Sequence, residues 1–344
     1  MVDELRKVQK VGHSTLTVSV PKAFARELGL SAGDSLLVRA ESDGTLRLIP
    51  SNKSKETSKA VIRADQAGGD EMLARLIVSA YALGYDTIEV AGKAPLSRAT
   101  LDRVMETMAR LRGMEVVESD QRRIVGQSFT DPTKFPVDSL IKRLQMLVSQ
   151  SLDYVMESLE LAQAGTLNEV ARVQQQIEEL YWLILRQLLI ALDRRELASE
   201  IGIESPLHAS GDRVSAKALD EIGLIIREIA EELVGIRSSG KKMDQKMTAS
   251  LRKLASRTRE AFNTTVDSLL SPDIGLIGSS QTLVEDVMRM ERAITRDMQE
   301  AGQYGFARVL VSQFGQLARY CNIIIEIASH RLLRRTTRVA TVEK

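Results

Sequence analysis

Aromatic residues make up only 4% of this 344-residue chain, and it has a single cysteine, Cys321. One thiol excludes an internal disulfide and any zinc finger. It sits among Tyr320, Ile323 and Ile324, which points to a buried structural thiol rather than a reactive one. With so few rings, the cores must come from Leu, Ile, Val, Ala and Met, a supply that suits helices better than a sandwich. Long apolar runs are missing as well. Leu188–Leu192 and Asn322–Ile325 fall far short of the roughly 20 residues of a membrane span. The N-terminus is charged and lacks the apolar stretch of a secretory signal. The chain is therefore expected in the cytoplasm, without membrane insertion. Nor does one sign of charge prevail: 47 Lys plus Arg face 46 Asp plus Glu. That balance argues against a nucleic-acid footprint over the whole protein but permits a local basic patch. A glycine-rich phosphate loop is also absent, since Ala91-Gly92-Lys93 lacks the other glycines and the following Ser or Thr.

What is present concentrates at the N-terminus. Leu16, Val18 and Val20 alternate with Thr15, Thr17 and Ser19, the period-2 pattern of a half-buried strand. Pro21 fits the first turn of a short helix and Gly29 its end. Leu36, Val38 and Ala40 alternate again, Asp43-Gly44 fits a hairpin turn, and Leu46 and Leu48 give the return strand. A unit of about fifty residues is near the size at which a lone core is marginal. An intertwined dimer would cover its apolar residues.

The order of these features, with Arg6-Lys7-Val8, the Gly12 turn, Val20-Pro21-Lys22, Leu28-Gly29-Leu30 and Gly33-Asp34, resembles the AbrB/SpoVT family of swapped-hairpin DNA-binding domains over residues 4–50. In that family, basic residues on the first strand, around the Gly turn and on the helixlet contact DNA. The resemblance thus implies Arg6, Lys7, Lys10, His13, Lys22 and Arg26 as DNA-binding residues. His13 stands where bacterial members often carry Arg, and Ala25 interrupts what is often an Arg pair.

Residues 51–58 are polar and read as a linker. Residues 59–130 carry mixed signals of a small α/β unit. Strands are expected at Ala60–Ala64, Thr87–Val90, Glu115–Glu118 and Arg123–Phe129. One helix should span Glu71–Leu83, stopped by Gly84, and a second should run from the Ser97 cap to Arg112, stopped by Gly113. From Pro136 the chain reads as helices only. Leu140, Leu144, Leu147, Ser151, Val155 and Leu159 form one stripe. Val170, Val173, Ile177, Leu180, Ile184, Leu188 and Leu192 form a second, and Leu219, Ile222, Ile226, Ile229 and Leu233 a third. Breaks fall at Gly165, Ser205-Pro206, Ser239-Gly240 and Ser271-Pro272. Helical patterns resume near 243–270, 276–301 and 303–335, so two sets of three helices suggest an internal duplication, at about 136–240 and 243–337.

The strings Ile177-Glu-Glu-Leu-Tyr-Trp-Leu-Ile-Leu-Arg-Gln-Leu-Leu and Gln316-Leu-Ala-Arg-Tyr-Cys-Asn-Ile-Ile-Ile-Glu-Ile-Ala, in two helical triads, resemble the PhoU family of phosphate-signalling proteins over about 136–337. An AbrB-like head on a PhoU-like body is an archaeal arrangement. Many PhoU relatives carry acidic pairs spaced by four that bind metal clusters. Here Asp220 keeps one acid but Leu224 replaces the second, and Gln316 and Arg319 stand where acids would be wanted. No metal and no cofactor are therefore expected. His13, His208 and His330 are read as lacking an Asp or Cys at ligand spacing, and no catalytic constellation is legible, so the chain is not expected to be an enzyme. Arg331, Arg334, Arg335 and Arg338 read as a basic tail at a helix end.

The expected architecture is multidomain: a small β-rich swapped-hairpin head, a small α/β middle unit and an all-α PhoU-like bundle of two three-helix repeats. The expected function is DNA-binding transcriptional regulation of phosphate uptake by a homodimer or higher homo-oligomer. A phosphate transporter or signalling protein is a possible further partner. The alternative is a scaffold that dimerises through its head without binding DNA.

Overall fold

The computed structural model describes residues 4–40, 44–50, 58–160, 165–241, 243–301 and 305–334. Asp43 of the expected hairpin turn, most of the 51–58 linker, Arg335 and Arg338 lie outside the described residues. Two compact units divide the chain, residues 1–57 and 58–344.

In the first unit, β1 (Gln9–Val11) pairs antiparallel with β2 (Thr15–Thr17). Helix α1 (Lys22–Glu27) follows, and β3 (Leu36–Ala40) pairs antiparallel with β4 (Leu46–Pro50). Helix α1 starts directly after Pro21. It ends on Gly29 at φ +63°, with the Leu30 amide donating to the Ala25 carbonyl at 2.8 Å, the closure that a left-handed glycine makes possible. The strand expected over residues 15–20 stops at Thr17, and its apolar side is not half-buried. Leu16 is 69% and Val18 57% exposed, and Leu37, Val38, Leu46 and Leu48 are exposed too. Among the described residues both two-stranded ribbons leave most of their side chains exposed, as a two-stranded ribbon can bury little by itself. Pro50 is the one buried position among the described residues of this unit.

The second unit begins with an α/β layer: β5 (Lys59–Arg63), α2 (Asp70–Ala82), β6 (Thr87–Ala91), α3 (Arg98–Ala109), β7 (Met114–Ser119) and β8 (Arg123–Ser128). The sheet order is β5-β6-β8-β7, with β5 and β6 parallel and the other pairs antiparallel. The parallel pair is joined through α2, as a crossover requires. Ile88, Val90 and Ile124 meet Leu73, Ile77, Val104 and Met108 in the core of this layer. Ser97 caps α3 by accepting from the Thr100 amide at 3.1 Å. Helix α3 ends at Ala109, earlier than expected; a turn through Arg110–Gly113 carries the chain into β7.

Then come α4 (Val137–Glu160), α5 (Gly165–Asp193), the short α6 (Arg195–Ala198), α7 (Pro206–Ser238), α8 (Gln245–Leu270), α9 (Ile274–Ala301) and α10 (Arg308–Leu333). The break expected at Gly165 falls at the boundary of α4 and α5, with Gly165 the first residue of α5. Helices α4, α5 and α7 pack as one triad and α8, α9 and α10 as another; α4 packs on α8 and α7 on α10. The triads thus meet through equivalent helices, and one continuous core runs through both. Ser205 caps α7 ahead of Pro206, and Asp244 caps α8. No helix among the described residues is long and apolar enough to cross a membrane.

Helix α5 joins the bundle to the α/β layer. Residues 183–188 are all buried, more than one stripe allows, because a core lies on each side. Leu192, expected on the buried face, is exposed in the last turn. Trp182 packs against both cores. The Arg186 guanidinium, its side chain 3% exposed, donates to the Tyr81 carbonyl at 2.6 Å and the Tyr85 carbonyl at 3.0 Å. It therefore caps the C-terminal end of α2, and it lies 4.9 Å from the centre of the Tyr81 ring. Gln187 donates to the Pro132 and Phe135 carbonyls at 2.7 and 2.9 Å. Gly84, at φ +92° past the end of α2, has Ile190 so close that an added Cβ would lie 2.7 Å from its Cγ1. Replacing Arg186 with Met keeps volume but orphans these acceptors. We expect a loss of about 3 kcal/mol, read by chemical denaturation of the full chain against wild type.

Candidate functional site

The basic residues of the first unit are placed by short elements. Arg6 and Lys7 precede β1, Lys10 lies in it, and His13 occupies the turn before β2. Lys22 and Arg26 sit at i and i+4 on α1, hence on one face of it. All six side chains are exposed. Arg6 is ion-paired with Glu4. Lys7, Lys10, Lys22 and Arg26 have no ion pair among the described residues. Register pairs Lys10 with Leu16, so this cation shares a ribbon face with an exposed apolar side chain.

In the body, the acidic position Asp220 is buried on α7. Lys217 one turn earlier donates to it at 2.9 Å and also meets Glu221 at 2.7 Å. Burial raises the Asp220 carboxyl above its ordinary value, with Lys217 acting against the rise. Burial works against the Lys217 ammonium, yet its bonds to Glu221 and Asp220 raise it well above the usual lysine range. In the second triad, Arg257 of α8 meets Glu260 at 2.7 Å and is ion-paired with Asp286 of α9, which Arg289 also holds. The hydrogen bond from Arg257 lowers the Asp286 carboxyl. Arg319 of α10 lies 3.9 Å from Glu291. Each of these carboxylates already faces a cation from the chain's own side chains. A metal cluster would have to displace them against like-charge repulsion, so the residues at these positions do not fit one.

A third cluster escaped the sequence reading. His208 does have an Asp at ligand spacing: Asp212 stands four residues on, and its carboxylate lies 3.5 Å from His208 Nε2. Asp138, at the start of α4, completes a group of three whose ligand atoms lie within 4.8 Å of one another. Arg331 of α10 is ion-paired with the fully buried Asp212, meets Asp138 at 3.2 Å, and donates to the Leu269 carbonyl at the end of α8 at 2.9 Å. Arg331 is thus no tail residue: it ties α4, α7, α8 and α10 together. Arg334 donates to the capping Ser205. The signal in the sequence was the His208-x-x-x-Asp212 spacing itself, one face of a helix. Its partner Arg331 lies over a hundred residues away and could not be read from local pattern. Cys321 is buried, and burial pushes its thiol up to about 12.

Comparison with known proteins falls on the same two halves. Residues 9–56 match the family model of the antidote-toxin recognition domain MazE, a bacterial antitoxin. The crystal structure of PhoU from Pseudomonas aeruginosa is similar at a TM-score of 0.50 and 18% identity. That similarity covers 57% of this chain and 95% of that one. The helical body has the PhoU fold. No curated protein matches the chain. An AbrB/MazE-like segment is therefore fused, through an α/β layer, to a PhoU-like body.

Within the PhoU-like body, the His208 cluster has a consequence for pH. Burial, with Arg331 adding to it, holds the His208 imidazole below its ordinary 6.5; Asp212, Asp138 and Glu204 oppose the shift. The unfolded chain therefore takes up this proton at a higher pH than the folded one. The stability contribution is complete above about 6.5 and is lost as pH falls below it. Burial raises the Asp212 carboxyl, an effect of opposite sign on stability as pH falls, so the His208 share is read from the difference between wild type and a His208 variant. Melting temperature should fall between about pH 7 and pH 5.5, and His208→Gln should flatten that slope; parallel curves for the two proteins would contradict the assignment.

Proposed function

We propose that this chain is a DNA-binding transcriptional regulator of phosphate uptake that works as a homodimer or higher homo-oligomer in the cytoplasm. The observation that carries the reading is the first unit. It exposes its apolar side chains, which favours a second copy, and it presents Lys7, Lys10, Lys22 and Arg26 without ion-pair partners among the described residues. The family match of this segment and its AbrB-like pattern support a DNA role. The phosphate role rests on the fold of the body, which would report phosphate status through a transporter or signalling protein. No enzymatic activity is proposed, because the acid and histidine clusters of the body are tied up with the chain's own cations.

Two-fold symmetry in the dimer would match a pseudo-palindromic operator. Most bonds from these residues should go to phosphate and position the unit, with one or two reaching base edges. Salt titration of binding to one operator fragment tests this. Alanine at Lys10, Lys22 or Arg26 should weaken binding and lower the slope of log affinity against log salt by about one unit for each phosphate no longer neutralised. Each substitution counts twice in a dimer. A base-reading Arg should instead cost about 1–3 kcal/mol and relax preference at one position. Variants that all bind like wild type would leave the head as a dimerisation unit only, and the body as a scaffold.

A further inference from the structure

A cleft of about 340 Å³ opens between α2 and α3 of the α/β layer and α5 of the bundle, inside the rough 300–1,000 Å³ range of small-molecule sites. Its floor is apolar, from Ala74, Val78 and Leu111, and includes Trp182, the single tryptophan of the chain. The Trp182 ring is only partly covered and is braced by Tyr181, whose ring centre lies 4.9 Å away. The side formed by α2 and α3 carries Arg75 and Glu71 from α2, Arg103 from α3 and Arg110 just past its end; the side on α5 carries Glu178 and Glu179.

Several of these charges already have partners. Arg103 spans to Glu71 at 2.9 Å and Glu106 at 3.7 Å, Arg110 pairs with Glu106, and Glu179 meets Arg112 at 3.3 Å. Arg75 and Glu178 have no ion pair among the described residues. The Arg103 Nε is buried with no hydrogen-bond partner. What remains on the α5 side is the partly exposed Trp182 ring with the free Glu178 carboxylate one turn away, facing the unpaired Arg75 guanidinium of α2.

A bare anion would leave the aromatic floor uncovered. A purely apolar ligand would desolvate the guanidinium donors and Glu178 with nothing to pair them, at a cost for each. A planar ring that carries both an anionic group and hydrogen-bond donors satisfies all three. We infer that this cleft binds a purine mononucleotide. Its base lies against Trp182, its phosphate meets Arg75 and Arg103, and its amine or ribose hydroxyls face Glu178. Because the cleft joins the α/β layer to the bundle, the ligand would contact both. The inference does not rest on the DNA-binding reading, and its test contains no DNA.

The sole tryptophan makes the test direct. AMP, adenosine and inorganic phosphate are titrated separately into the full chain, with Trp182 emission and calorimetric heat as readouts. AMP should give a saturable response with a midpoint below about 1 mM, and adenosine and phosphate alone should bind at least about tenfold more weakly. Arg75 is exposed, so Arg75→Glu should melt like wild type yet raise the AMP midpoint by about tenfold or more. Glu178→Lys should weaken AMP while sparing phosphate. Absence of both heat and emission change with AMP overturns the proposal. So does an AMP midpoint that Arg75→Glu leaves unchanged, or phosphate alone binding as well as AMP.

Discussion

Most of the large apolar side chains described in the first fifty residues find little cover inside their own unit, and this shortage bears on how the protein can assemble. Leu16, Val18, Leu37, Val38, Leu46 and Leu48 are all exposed in the single chain. Water penalises each such side chain, and a fold of two short ribbons and a six-residue helix has nothing to place over them. A second copy would supply the missing layer. It would also double the basic residues of β1 and α1 about a two-fold axis, which is what a symmetric duplex site needs.

The second unit meets the opposite condition. Its two cores are complete, and α5 serves both. Trp182, Arg186 and Gln187 divide the joining between them: the first packs against each core, the second caps α2, and the third holds the segment leading into α4. Buried carboxylates in this unit are neutralised from within. Lys217 serves Asp220 and Arg331 serves Asp212, while Arg257 does the same for the more exposed Asp286. Such pairs contribute little when exposed but are costly to break when one partner is buried, so the buried ones fix helix positions.

Local pattern made much of this legible. The stripe of Leu219, Ile222, Ile226, Ile229 and Leu233 could be read because a bundle helix repeats its apolar residues at three and four, and all five are buried. The cap at Ser97 and the break at Ser205-Pro206 are short-range chemistry of the same kind. The resemblance of both halves rested on ordered motifs. What escaped was long-range. The Arg331 tie joins residues from four helices, and the cleft floor at Trp182 exists only because two layers converge on α5. Expected half-burial in the first unit failed because alternation marks which side chains need cover, not whether one chain can provide it. For the residues proposed to contact DNA the structure gives positions and exposure; the proposed role comes from the sequence pattern.

Whether two copies share one core can be read from the isolated 1–57 segment, unfolded over a range of concentrations with its mass followed by sedimentation. If they do, the segment sediments as a dimer and its melting temperature rises with concentration, since folding and association are one equilibrium. A folded monomer whose melting temperature is independent of concentration would contradict it.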